Sequence, residues 1–69
     1  MEIKAEMAGT VVAIVCAENQ GVLADAELLI LESMKMEIPV VAPRDGVVSS
    51  LRVGEGDVVQ QGDVLVVLG

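Results

Sequence analysis

The sequence predicts a single all-β domain that spans residues 1–69. Apolar residues make up 54% of the chain and none is aromatic, so the core must consist of valine, leucine, isoleucine and alanine. Dense β-branching of this kind favours strands. Glycine and asparagine recur between short apolar runs, which is typical of turns and excludes long helices. A chain of this length supports only one small domain.

The first half of the chain contains five short apolar segments, which we predict to be strands or brief extended steps. They are Met1–Lys4, Thr10–Cys16, Val22–Leu23, Glu27–Glu32 and Met36–Ala42. Turn residues separate them, among them Asn19-Gln20-Gly21, because Asn and Gly tolerate left-handed backbone angles. Pro39 cannot donate a hydrogen bond to a neighbouring strand, so its segment is expected at a sheet edge or with a local break.

The second half repeats this pattern. Its predicted strands are Gly46–Val53, Val58–Val59 and Val64–Leu68. Aligning the residues after Gly9 with those after Gly46, and Glu27 with Asp63, leaves one extra residue in the first half, near Gly21. Two similar halves predict two sheets that are related by a pseudo-two-fold axis.

Charge and composition exclude several classes of function. The net charge of −7 repels phosphate backbones, and no aromatic side chain is present to stack on a base, so we expect no nucleic-acid partner. No apolar run is long enough to span a membrane. No secretory signal is visible at the start of the chain, and Cys16 is the single cysteine, so we expect the cytoplasm or another reducing compartment. Without histidine or a His/Cys cluster, the chain predicts neither a metal site nor catalytic activity of its own.

The segment Glu32–Glu37 places one lysine between two methionines, with a carboxylate outside each of them. Apolar runs lead into and out of this segment, which predicts a hairpin with Lys35 at or near its tip. If the segment is extended, Met34 and Met36 share one face and Lys35 takes the other. A lysine nucleophile needs burial or a neighbouring cation, whereas Lys35 has two neighbouring carboxylates. We therefore expect Lys35 to be modified by another enzyme, since a merely solubilising lysine leaves the exposed methionines unexplained.

The residues Glu32-Ser33-Met34-Lys35-Met36 resemble the biotin-attachment motif of biotin carboxyl carrier domains, Glu-Ala/Ser-Met-Lys-Met. Nearly the whole chain resembles this biotinyl/lipoyl family, including the turns at 42–46 and 54–58. The resemblance implies a flattened barrel of two four-stranded antiparallel sheets, the biotinyl/lipoyl hammerhead, with the modified lysine on the hairpin that ends the first half. Two positions depart from the family pattern: Asn19-Gln20-Gly21 stands where Gly-Asp is usual, and Ala26 stands where a glycine is usual.

The same resemblance implies that a biotin protein ligase joins biotin to Lys35 as an amide and recognises Glu32, Ser33, Met34 and Met36. A biotin carboxylase would then load carboxylate onto the biotin. The domain would carry the carboxylate to the carboxyltransferase of an acetyl-CoA or other acyl-CoA carboxylase, as in fatty acid biosynthesis, or of a related enzyme. The segment between Ile14 and Leu28 is too short for the protruding thumb of many bacterial acetyl-CoA carboxylase carriers. In this it resembles carriers of propionyl-CoA and pyruvate carboxylases and small stand-alone biotin attachment proteins.

Two alternative functions remain open at this point. A lipoyl-carrier domain of a 2-oxoacid dehydrogenase complex would share the fold, but its lysine is usually flanked by Asp and Ala. An unmodified barrel that serves as a protein–protein module would lack the target lysine in its motif. The intact mass of the protein would distinguish biotinyl, lipoyl and unmodified forms.

Overall fold

A computed structural model describes all residues, Met1–Gly69, and consists of eight strands with no helix. The strands are β1 (Glu2–Lys4), β2 (Gly9–Ile14), β3 (Gly21–Val22), β4 (Glu27–Ser33), β5 (Met36–Val41), β6 (Gly46–Leu51), β7 (Val58–Val59) and β8 (Val64–Leu68). The all-β prediction is confirmed. Two predicted strands are two residues too long at their C-terminal ends, because β2 ends at Ile14 and β6 ends at Leu51.

The strands form two antiparallel four-stranded sheets with the orders β1-β8-β6-β3 and β5-β4-β2-β7. Adding four to each strand number of the first sheet, with β1 counted again after β8, gives the strand order of the second sheet. This correspondence confirms the predicted pseudo-two-fold relation. Strand β5 lies at a sheet edge. Pro39 is therefore tolerated there, as predicted, because it lacks only the N–H group that an edge strand does not need on its outer side.

The last three strands of the two halves begin at one constant spacing along the chain. Fully buried Val11 corresponds to Val48, and Leu28 corresponds to Leu65. The extra residue predicted near Gly21 is therefore wrong. That alignment matched two acidic residues, Glu27 and Asp63, whereas Glu27 begins its strand as Val64 does.

Two turns of the first half use non-glycine residues where the second half uses glycine. Asn19 has φ 71° and corresponds to Gly56 with φ 91°, and Asp25 has φ 70° and corresponds to Gly62 with φ 92°. Asn and Asp are the side chains that best tolerate this left-handed region. The two departures from the family pattern thus keep the same backbone shape, and the residue that takes the glycine's role is Asp25 rather than Ala26.

Part of the negative charge stabilises loops through reciprocal hydrogen bonds between the halves. The Leu51 N–H donates to Glu18 Oε2 at 3.0 Å, and the Ile14 N–H donates to Glu55 Oε2 at 3.3 Å. These four residues are pseudo-two-fold equivalents. Each half therefore provides a carboxylate that satisfies a backbone donor at the strand end of the other half.

The core is a single cluster of fourteen buried side chains with no polar side chain among them. The cluster includes Cys16, a free cysteine. Burial raises the pKa of the Cys16 thiol, which disfavours the reactive thiolate. Cys16 therefore acts as a small apolar core residue.

The molecule is elongated, with extents of 30 × 17 × 17 Å. The β4–β5 turn lies at one end, beside the loop that joins β1 to β2, because Thr10 at the start of β2 pairs with Glu32 at the end of β4. At the other end, the Met1 ammonium donates to Leu68 O at 2.6 Å. The β4–β5 turn therefore projects from the end of the domain that lies away from Met1 and Gly69.

No helix of the length and apolarity needed to cross a membrane is present.

Gly9 places β2 unusually close to β4, just below the β4–β5 turn. A Cβ atom on Gly9 would lie 2.7 Å from the Glu32 backbone oxygen and 3.6 Å from the Ser33 Cβ. A contact of 2.7 Å with a backbone atom is relieved only if a strand moves. The absence of a side chain at Gly9 is thus a condition for the position of the hairpin.

We expect Gly9→Ala to lower the free energy of unfolding by about 1–3 kcal/mol, because the added methyl group overpacks the strand interface. Gly21→Ala is the matched control, since a Cβ atom there has no neighbour within 4 Å. The control should keep its stability or gain up to about 1 kcal/mol. Urea denaturation measures both variants, and equal stability of the two would contradict the role assigned to Gly9.

Candidate functional site

The β4–β5 hairpin closes with a two-residue turn. The cross-strand pairs nearest its end are Glu32 with Glu37 and Ser33 with Met36, which leaves Met34 and Lys35 as the turn residues. Both have left-handed backbone angles, with φ 54° at Met34 and φ 65° at Lys35. Two consecutive left-handed residues are the signature of a type I′ turn, whose twist matches that of the strands it joins.

The turn type corrects one sequence-based expectation. Met34 and Lys35 are not extended, so strand alternation does not decide which way their side chains point. The reason is that twisted antiparallel strands favour primed two-residue turns, and the type I′ turn has left-handed angles at both of its residues. The prediction that Lys35 lies at the tip is confirmed. The methionines are also exposed as expected, since Met34 is 91% exposed and Met36 is 63% exposed.

The turn is strained. Type I′ turns favour Asn-Gly or Gly-Gly, whereas this turn consists of two long side chains. A non-glycine residue in the left-handed region costs of order 1–3 kcal/mol, and such strain concentrates at functional sites. The hairpin itself is predictable from its apolar flanks, but the turn type is not, because no Asn or Gly marks it.

Like charges stand beside the turn without compensation. Glu32 and Glu37 are directly opposite each other and both are exposed. Like charges in this arrangement destabilise a sheet. The only ion pair in the structure joins Lys4 to Glu2 at 3.9 Å, so Lys35 is unpaired although two carboxylates are near it in sequence. The Lys35 amine is therefore free to react with an incoming group.

The five predicted motif residues lie together at this tip but present different faces. Glu32 shares the outer face of its sheet with Thr10 and Glu37, its cross-strand partners. Ser33 is half-buried and shares the opposite face with Met36. The place of Gly9 beneath the hairpin is not predicted from the sequence. Nothing but its closeness to a strand start could have indicated that role.

The tip is not part of a cleft. A shallow groove of about 270 Å³ lies between β1 and β5, lined mainly by aliphatic side chains such as Ile3, Ile38 and Val40. Lys35 is not among the residues that line it. No group of His, Cys, Asp and Glu side chains is arranged to hold a metal ion. The arrangement therefore offers a projecting primary amine to an external active site.

We expect Met34→Gly to raise the free energy of unfolding by about 0.5–1 kcal/mol, because relief of the left-handed strain exceeds the extra backbone entropy of glycine. Met34→Ala is the matched control, since it removes the same exposed side chain but keeps the strain. Its stability should change by less than about 0.5 kcal/mol. Thermal or urea unfolding measures the stability of both variants. A Met34→Gly variant that is less stable than the wild type would contradict the strain assigned to the turn.

Two small proteins are similar to this chain over nearly their whole length. The "Biotinylated protein TB7.3 homolog" of Mycobacterium leprae is 42% identical over 67 residues, which cover 97% of this chain and 94% of that protein. The "Biotin/lipoyl attachment protein" of Bacillus subtilis is 43% identical, with coverage of 99% and 93%. By contrast, the chain spans only 10% of the "Biotin-dependent acyl-coenzyme A carboxylase alpha3 subunit" of Mycobacterium leprae, to which it is 44% identical over 63 residues.

Solved structures share the fold. The urea carboxylase of Kluyveromyces lactis matches 100% of this chain with 6% of its own length, at a TM-score of 0.94 and 30% identity. The lipoyl domain of the 2-oxoglutarate dehydrogenase complex from Azotobacter vinelandii matches at a TM-score of 0.80 and 27% identity, covering 97% of this chain and 95% of that domain. The predicted flattened barrel of two four-stranded sheets is thereby confirmed.

A family model described as "Biotin-requiring enzyme" matches residues 2–68, which is nearly the whole chain. The match includes every strand and the Met34-Lys35 turn. The resemblance drawn from the motif and from the repeated halves is therefore confirmed. The chain belongs to the biotin/lipoyl attachment family.

Proposed function

We propose that Lys35 carries biotin as an amide and that this domain is the carrier component of a biotin-dependent carboxylase. The observation that carries the proposal is the turn itself, which presents an unpaired lysine between two exposed methionines at the end of a rigid barrel. Membership of the family supports biotin as the group. The likeness to parts of acyl-CoA and urea carboxylases supports the reaction class.

The residues at the tip fit such a group. Amide formation needs a primary amine that an activated carboxyl group can approach, and the Lys35 side chain is exposed, with no carboxylate within ion-pair distance. When attached, biotin supplies a ureido nitrogen that holds a carboxyl group. The chain supplies the tether, and the chemistry belongs to the cofactor. The amide also removes one positive charge from a chain whose net charge is −7.

Three partners follow from this role. A biotin protein ligase would recognise Glu32, Ser33, Met34 and Met36 around the target lysine. A biotin carboxylase and a carboxyltransferase would then receive the same tip in turn, and the domain would contribute proximity to both. Because Met1 and Leu68 lie together at the opposite end, a structure attached there would leave the tip accessible to all three.

The acceptor of the carboxyl group that we propose is an acyl-CoA such as acetyl-CoA. The enzyme would then be a cytoplasmic carboxylase of fatty acid synthesis. The likeness to the acyl-coenzyme A carboxylase subunit supports this class. Pyruvate carboxylase of Staphylococcus aureus is 41% identical over 64 residues, so a keto acid is the competing acceptor. Only β3 and tight turns lie between Ile14 and Leu28, which supports a carrier without a thumb.

A lipoyl carrier is the second candidate function. The specific observation in its favour is that a solved lipoyl domain shares this fold over nearly its full length. The fold alone does not distinguish the two cofactors, because both are attached to a lysine on the same hairpin. The two exposed methionines beside Lys35 favour biotin, since they complete the motif of biotin carriers.

We expect Lys35→Arg to abolish biotinylation, because the guanidinium keeps the charge but does not form the amide. Lys4→Arg is the matched control, since Lys4 lies on an ordinary terminal strand, and it should be loaded like the wild type. Each variant is co-expressed with a biotin protein ligase and examined by intact mass and streptavidin binding. Both substitutions should leave stability within about 0.5 kcal/mol. Biotin on Lys35→Arg, or a lipoyl mass on the wild type, would refute the proposal.

The biotinylated domain alone should neither hydrolyse ATP nor take up label from radioactive bicarbonate. The physical reason is that the chain contains neither a phosphate-binding loop nor a nucleophile–base pair. Addition of a biotin carboxylase should label the wild type and leave Lys35→Arg unlabelled. ATP hydrolysis by the isolated domain would show that it is not a passive carrier.

A further inference from the structure

The two methionines beside Lys35 differ from the others in their surroundings. Met34 is 91% exposed and Met36 is 63% exposed, whereas Met1 is 53% exposed, Met7 is 37% exposed, and both of these line the groove between β1 and β5. An apolar thioether gains nothing from such exposure. It also has no core neighbours that shield its sulfur. Exposure of the sulfur is the property that governs methionine oxidation.

The oxidation requires only a peroxide as co-reactant. The thioether sulfur attacks one oxygen of hydrogen peroxide, the O–O bond breaks and an S–O bond forms. The displaced hydroxide takes the remaining proton and leaves as water, so the sulfur is oxidised by two electrons and the peroxide is reduced. Methionine sulfoxide reductases reverse the product, which makes the change a reversible modification.

The consequence follows from where the two sulfurs lie. Met34 adjoins Lys35 in the turn and Met36 pairs with Ser33 immediately below it. An active site that encloses the Lys35 amine, or a group attached to it, must cover both thioethers. A sulfoxide is polar, and covering it without a matching donor carries a desolvation cost. The reduced tip is therefore the form that a complementary apolar surface binds.

We propose that Met34 and Met36 form an oxidation-sensitive pair, at which peroxide converts the tip into a form that its enzymes engage poorly and a sulfoxide reductase restores it. This proposal rests on the proposed function, because it concerns the enzymes that act on Lys35. Oxidation does not disturb the fold, since neither side chain belongs to the core cluster. The pair thus links the use of the carrier to oxidising conditions without unfolding it.

The experiment treats the unloaded domain with graded hydrogen peroxide and locates the added oxygen atoms by peptide mass spectrometry, with Met7 as the internal reference. The rate of biotinylation by a biotin protein ligase is then measured. In parallel, biotinylated protein is oxidised and its carboxylation by a biotin carboxylase is followed. Circular dichroism before and after oxidation reports whether the fold is intact. Treatment with a sulfoxide reductase completes the series.

The test variant is Met34→Leu combined with Met36→Leu, which keeps the apolar volume but cannot form sulfoxides. The rate of each oxidised variant is compared with the rate of the same variant before oxidation, because the leucine substitutions themselves change the rate of the untreated domain. Met7→Leu is the matched control and should respond like the wild type. Wild-type protein should oxidise at Met34 and Met36 before Met7, and loading or carboxylation should fall by about tenfold and recover with the reductase.

Two results would overturn the proposal. One is a wild-type domain that is oxidised at both positions and is still loaded and carboxylated at the untreated rates. The other is an equal loss of rate in the double leucine variant, which would place the sensitive group elsewhere. Failure of the untreated wild type to accept biotin at Lys35 would instead refute the proposed function, so the two ideas fail in different measurements.

Discussion

The structure depends on an aliphatic core that neither half of the chain can complete alone. Each sheet contains two strands from the first four and two from the last four, so the halves exchange strands. Equivalent positions of the two halves, such as Val11 and Val48 or Leu28 and Leu65, are fully buried in this core. Aliphatic side chains bury this surface without hydrogen-bond requirements. A short chain thereby becomes one cooperative body that can hold a hairpin at its end.

The acidic residues of the chain divide into two groups by what their oxygens contact. Glu18 and Glu55 accept backbone N–H bonds from the opposite half, and Asp57 accepts one from Gly54 at 2.8 Å. These carboxylates satisfy turn and strand-end donors, so their charge is used within the fold. Glu32 and Glu37 accept no such bond and face each other. Their charge is not used in a hydrogen bond within the fold.

The sequence predicts most of this architecture because its signals are local and repeated. Short apolar runs between turn residues specify all eight strands, and Pro39 identifies an edge. The errors have physical causes. The alignment of the halves failed because Asn19 and Asp25 replace glycine at left-handed positions. The left-handed turn at Met34 and Lys35 is not predictable from the sequence, because neither residue type signals positive φ. The role of Gly9 depends on a contact with Glu32 that lies far away in sequence.

Several features that local physical rules disfavour occur together in one hairpin. Met34 and Lys35 adopt angles that disfavour long side chains, and Glu32 opposes Glu37. Met34 is also the most exposed large apolar side chain. The core, by contrast, is apolar and has no unsatisfied buried side-chain polar atom. A region that violates propensity, charge pairing and burial together is expected where function outweighs stability. The strain accompanies a two-residue type I′ turn, and so short a turn places the Lys35 side chain directly at the end of the two paired strands. The barrel thus holds Lys35 at a fixed point that an external active site can reach.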